Sequence, residues 1–169
     1  FAVPRSIKTT SIKPSGTVSL LPGVTPGMHY PESNYYIRRI RVSSTSDLLP
    51  YLEEAGYTIE PDVNAPKDTV VVEIPVSIEG VRTSGEISMW EQLSLAAFLQ
   101  EHWSDNQVSC TITFNKDERE QIKHALNYFQ YKLKGISFLP KLEKAMYQQM
   151  PYEEITKEDY KRLVKRIKG

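Results

Sequence analysis

Three helix starts fix most of the second half of the chain. Ser88-Met-Trp-Glu91 and Asn115-Lys-Asp-Glu118 have the form of capping boxes. In such a box the first side chain accepts from a free backbone N–H, and the glutamate reaches back to the other end. Thr156, followed by Glu158 and Asp159, opens a third helix with acidic groups where the dipole favours them. The first helix is expected to run to about Trp103. Ile122, Ala125, Leu126, Phe129 and Leu133 mark one face of the second, and Tyr160, Leu163, Val164 and Ile167 one face of the third. Strand-like stretches lie between and before them, at Tyr35–Val42, Thr69–Val76, Val108–Phe114 and Gly135–Leu139. A short helix over Leu48–Ala55 has Ser46 as its N-cap and Gly56 as its closing glycine. Strands alternating with helices predict an α/β fold of parallel β-α-β units.

Residues 1–34 are of another kind. Proline or glycine interrupts them every few positions, yet Val18, Leu20, Leu21 and Val24 argue against a solvated linker. Within this stretch, Lys13-Pro-Ser-Gly-Thr-Val-Ser19 has the make-up of an anion-binding turn. A phosphate needs several backbone N–H groups converging on one point, and the start of a helix supplies them. Pro14 suits the position before a helix, Gly16 leaves room for an anion to approach the backbone, and Ser15, Thr17 and Ser19 bring hydroxyl donors. Pro-Ser-Gly-Thr is also an ordinary turn with a serine cap, and these residues alone leave both readings open.

The wider sequence carries a resemblance. Thr10-Ser-Ile-Lys-Pro-Ser-Gly-Thr-Val-Ser-Leu-Leu-Pro-Gly-Val-Thr-Pro-Gly-Met-His29 resembles the substrate-phosphate segment of class II (adenosylcobalamin-dependent) ribonucleotide reductases. Tyr35–Val42, Trp90–Gln100, Trp103-Ser-Asp-Asn-Gln-Val-Ser109 and Tyr128–Pro140 are similar to later segments of that family, in the family's order. The wording is nearest to the monomeric branch that reduces ribonucleoside triphosphates. The resemblance implies that residues 1–169 are the C-terminal part of a ten-stranded α/β barrel, contributing its last strands and outer helices. It places the substrate-phosphate loop at 13–19, with Ser15, Gly16, Thr17, Val18 and Ser19 on the phosphates, and a terminal helix at about 156–168.

The implied parent makes deoxyribonucleotides for DNA replication. Adenosylcobalamin raises a thiyl radical, a cysteine pair supplies electrons for reduction at C2′, and a thioredoxin-type reductant restores them. The family's Cys-x-Glu finger loop is expected upstream of this segment and its terminal cysteine pair beyond Gly169. The start at Phe1 fits a piece of a longer polypeptide, whose remainder is then its first partner. The segment alone is expected to be inactive. The alternative is a free-standing phosphate- or nucleotide-binding module without catalysis.

Other residues invite weaker readings. Cys110, the single cysteine, has no partner thiol in the chain and is expected to be a small buried residue. It suits a reducing, cytoplasmic setting. His29 either lines the site or bonds locally, and His102 and His124 lack ligands at metal spacing. Arg38, Arg39 and Arg41 are read as a solvated or helix-paired face rather than a phosphate contact, Tyr128 and Tyr131 as packing residues, and Trp90 and Trp103 as core anchors. Thr69–Val76 is mostly β-branched, with Glu73 its only charge, so in a half-barrel remnant it has little protection against mispairing. Lys+Arg and Asp+Glu both number 21, so no basic excess points to nucleic acid. No apolar run approaches the ~18 residues of a membrane span.

Overall fold

The structure is a computed structural model that describes residues 2–15, 18–20, 24–141 and 148–167. In chain order its elements are β1 (Tyr35–Ser43), α1 (Leu49–Glu54), β2 (Thr58–Pro61), β3 (Thr69–Ser77), α2 (Met89–His102), β4 (Thr111–Phe114), α3 (Ile122–Phe129), β5 (Ser137–Pro140), β6 (Tyr152–Glu154) and α4 (Lys157–Val164). They divide into two compact units. Unit 1 is Phe1–Pro31 with Arg82–Lys141, and unit 2 is Glu32–Val81 with Leu142–Gly169.

Unit 1 is a small parallel α/β layer. β4 and β5 pair in parallel, Thr111 opposite Ser137 and Phe114 opposite Pro140. Ile12 makes a parallel bridge to Val108 just before β4. Alternation sends Val108, Cys110, Ile112 and Phe114 to one face. There they meet Met89, Leu93, Ala96 and Ala97, which recur at helical spacing on α2, and Ala125 and Phe129 of α3. Met89, Leu93, Ala96, Ile112 and Ala125 are at most 1% exposed. Each larger one contributes roughly 1.5–3 kcal/mol of burial.

The helix starts stand where the sequence puts them, with one change of partner. Ser88 Oγ accepts from the Glu91 N–H. Glu91 itself turns away to Arg82. The free N–H of Met89 is served instead by Glu118, a carboxylate only 6% exposed. Its Oε1 takes Met89 N–H at 2.7 Å and its Oε2 takes Asn115 N–H at 2.8 Å. One buried side chain therefore closes the start of α2 and of the 3-10 turn Lys116–Gln121 ahead of α3.

Unit 2 corrects the expectation of parallel units. Its sheet, in the order β2-β3-β1-β6, is antiparallel at every pairing. The reason is β2, a four-residue strand that sequence periodicity does not announce. Without it, β1, α1 and β3 read as a crossover. With it, β2 and β3 form a hairpin through a turn in which Asp62 Oδ1 accepts from Asn64 and Ala65 N–H. β3 is also no exposed edge, because it is paired on both sides. The N-cap position of α1 falls at Leu48 rather than Ser46. Gly56 does close that helix, at φ +89°, and any Cβ there would collide with the Arg166 carbonyl.

Thr156 caps α4 by accepting from Asp159 N–H at 3.1 Å. Tyr160 packs on Tyr35 at 5.3 Å between ring centroids, and Leu163 and Ile167 lie by Ile37 and Pro75. The three arginines of β1 are internal ties. Arg39 joins Glu73 and Glu153, and Arg41 joins Asp62. Arg38, Arg39 and Arg41 also donate to the carbonyls of Pro151, Met150 and Gln149, which lead into β6. Among the described residues no helix is long and apolar enough to cross a membrane.

Candidate functional site

Of the candidate phosphate residues, Ser15, Val18 and Ser19 are described, and Gly16 and Thr17 lie outside the described residues. The Ser15 carbonyl accepts from Ser19 N–H at 3.2 Å and from the Ser19 hydroxyl. Ser19 lies within the 3-10 turn Val18–Leu20, so this i to i+4 bond ties that turn to Ser15. Ser19 is 6% exposed, so its hydroxyl belongs to the turn's own structure. The Val18 side chain points outward, 66% exposed. The Ser19 carbonyl in turn accepts from Val24 N–H at 3.0 Å.

Both limbs of the turn are tied to one stretch of chain, residues 103–111. On the entry limb, Asp105 Oδ2 accepts from Thr9 and Thr10 N–H at 3.1 and 3.4 Å. Thr10 Oγ1 donates to the Trp103 carbonyl at 2.7 Å and accepts from Asp105 N–H at 2.9 Å. Asn106 donates to the Thr10 carbonyl from both its backbone and its amide. Ser109 N–H then donates to Ile12 O at 2.9 Å. The Thr9 N–H foremost, then the Thr10 side chain and N–H, hold the Asp105 carboxyl below its ordinary range. On the return limb, His29 reaches β4, its Nε2 lying 3.0 Å from Thr111 N.

The sequence motif Trp103–Ser109 is thus the seat of the turn's entry limb. Trp103 itself is 63% exposed and is no core anchor; its carbonyl is the part in use. Trp90 is half-buried, donates to Gln121 Oε1 at 2.6 Å and packs by Phe129. Tyr128 packs edge-on to Trp90, whereas Tyr131 is 93% exposed. Cys110 is buried in the core of unit 1, and burial pushes its thiol up to about 11. Such a thiol is inert at neutral pH. His102 stacks on Phe98. Among the described residues no three His, Cys, Asp or Glu side chains are grouped to hold a metal ion.

Sequence reasoning overlooked Asp105, Asn106, Gln92 and Glu118 as anchors. Gln92 is a buried amide that pairs with the backbone of Thr113, Nε2 to O at 2.8 Å and N to Oε1 at 3.0 Å. A buried glutamine on a helix face opposite a strand was the available signal.

No protein-family model matches the chain. It is 58% identical over 172 residues to a probable adenosylcobalamin-dependent ribonucleoside-triphosphate reductase of Dictyostelium discoideum. It is 55% identical over 170 residues to the adenosylcobalamin-dependent ribonucleoside-triphosphate reductase of Euglena gracilis. Each match takes in 99% of this chain and 23% of the relative. A crystal structure of a B12-dependent (class II) ribonucleotide reductase superposes with a TM-score of 0.82 at 39% identity, covering 94% of this chain and 22% of the other. The chain therefore spans under a quarter of the length of the proteins it matches.

Proposed function

Because the chain belongs, as a segment, to the class II ribonucleotide reductase family, we propose that it is the substrate-phosphate-holding part of an adenosylcobalamin-dependent ribonucleoside-triphosphate reductase. The observation that carries this reading is the turn at Lys13–Ser19, tied through both limbs to one stretch of chain. Limbs so held leave less chain to be ordered when the triphosphate arrives. The hydroxyls of Ser15 and Thr17 are the further donors, while the Ser19 hydroxyl bonds to the Ser15 carbonyl.

In this reading unit 1, parallel with its helices on one face, belongs to a ten-stranded α/β barrel. The parent reduces the ribose at C2′ in the cytoplasm and is recharged by a thioredoxin-type reductant. Bound adenosylcobalamin supplies that reaction's radical. The described residues do not fit its thiol chemistry, since Cys110 is buried with a raised pKa. No step through the cofactor is assigned to them. Cobalamin and the reducing thiols belong to the remainder of the parent, and residues 1–169 alone are inactive.

The test is kinetic, on the full-length polypeptide that carries this segment. Ser15→Ala and Thr17→Ala should each raise KM for a ribonucleoside triphosphate about tenfold, the scale of one hydrogen bond to a charged group. Gly16→Val should raise it further, because a branched side chain blocks approach to the backbone. Unchanged KM in all three would refute the phosphate assignment.

A further inference from the structure

The return limb ends on a histidine with both ring nitrogens engaged. Nδ1 lies 2.9 Å from the Pro26 carbonyl oxygen, an acceptor, so Nδ1 carries the proton. Nε2 is then a lone pair, and it accepts the Thr111 N–H at 3.0 Å. The imidazole stands in for a carbonyl on a neighbouring strand. Ser109 N–H is paired by Ile12, whose chain then leaves the strand edge to form the turn. Two residues on, Thr111 N–H would lack that neighbour, and His29 takes its place. Two residues further, Thr113 is paired by Gln92. Each successive N–H along this edge thus has a different kind of partner, and His29 is the one that belongs to the turn's own loop.

Two residues before His29, Gly27 lies against the start of the turn. Its φ is +59°, and a Cβ there would stand 2.8 Å from the Lys13 carbonyl oxygen and 3.4 Å from the Pro14 Cα. Backbone is in contact with backbone, so a shift of the 26–29 limb is felt at Lys13–Pro14, next to Ser15. We propose that His29 is a positioning residue for the phosphate turn: as a neutral acceptor on Thr111 it fixes the return limb, and through Gly27 it sets where Lys13-Pro14-Ser15 stands. The inference rests on the phosphate reading above.

The experiment uses the full-length polypeptide, with ATP as the ribonucleotide and inorganic tripolyphosphate as a competitor. Asparagine at 29 reaches Pro26 but not Thr111, whereas glutamine is long enough to offer Thr111 an acceptor. His29→Asn should raise both KM for ATP and Ki for tripolyphosphate about tenfold, the scale of one buried hydrogen bond left unmade. Its kcat should stay within about twofold, and His29→Gln should recover most of the affinity. A merely structural role would lower the active fraction, and so kcat, leaving KM and Ki alone; that result overturns the proposal. So does equal damage by Asn and Gln. Ser15→Ala, measured alongside, separates the two ideas. If it weakens ATP binding while His29→Asn does not, only the His29 inference fails. If Ser15→Ala, Thr17→Ala and Gly16→Val all leave both constants unmoved, the phosphate reading fails and this inference with it.

Discussion

The two units solve the same problem, an incomplete backbone edge, with different chemistry. In unit 1, side chains substitute for missing backbone partners. Glu118 closes two helical starts, Gln92 pairs with Thr113, His29 accepts from Thr111, and Asp105 gathers the N–H groups of Thr9 and Thr10. In unit 2 the strands pair in an antiparallel sheet, and the polar side chains bind one another and the backbone carbonyls beside it. Arg39 and Arg41 tie Glu73, Glu153 and Asp62 across the sheet and hold the carbonyls leading to β6. The first arrangement fixes the course of irregular chain, which a binding turn requires. The second fixes a regular sheet whose short last strand has three residues.

The largest test of the contrast lies in unit 2. Arg39→Met should leave Glu73 and Glu153 facing each other and cost about 3 kcal/mol, as two carboxylates of a partly buried network lose their cation together. Hydrogen exchange in the full-length polypeptide should locate the loss in β1 and β6 and spare α2. In unit 1, Glu118→Ala should cost about 2 kcal/mol, since two N–H groups lose one acceptor. Faster exchange at Met89 and Asn115, with β1 unchanged, would support that; loss spread over both units would break the distinction. Thr156→Ala should cost about 1 kcal/mol, confined to α4, as an ordinary cap.

The smallest effect is expected at Asp105, which is exposed. Asp105→Asn should speed exchange of residues 9–12 several-fold and change little else. Its folded-state pKa is lowered, so its support is present above the ordinary aspartate value and is lost as pH falls through the lowered one. As pH falls from about 4.5 toward 2, pepsin cleavage near residues 9–12 should rise more than cleavage elsewhere in the polypeptide. Cleavage that does not vary with pH across that range would remove Asp105 from the account.

What was legible in the sequence follows from the range of each interaction. The caps at Ser88 and Thr156 and the glycine at Gly56 were readable because their partners lie within a few residues. Glu118 looked like a local cap and is also a distant one, since Met89 is far from it in sequence. The direction of strand pairing was misread because β2 carries Glu60 and Pro61 in four residues and gives no periodic signal. The candidate turn was found through its Pro-Ser-Gly-Thr chemistry and through a family resemblance. Its anchors were not, because Asp105 and Thr111 meet the turn only after some 80 to 100 intervening residues have folded.

The central claim is that the turn at Lys13–Ser19 receives the substrate's phosphates. A structure of the full-length polypeptide with ATP in its substrate site tests it directly. The account predicts phosphate oxygens about 3 Å from the backbone nitrogens of Gly16–Val18, with Asp105 and His29 still holding the two limbs. Phosphates held elsewhere, with this turn facing open solvent, would contradict it.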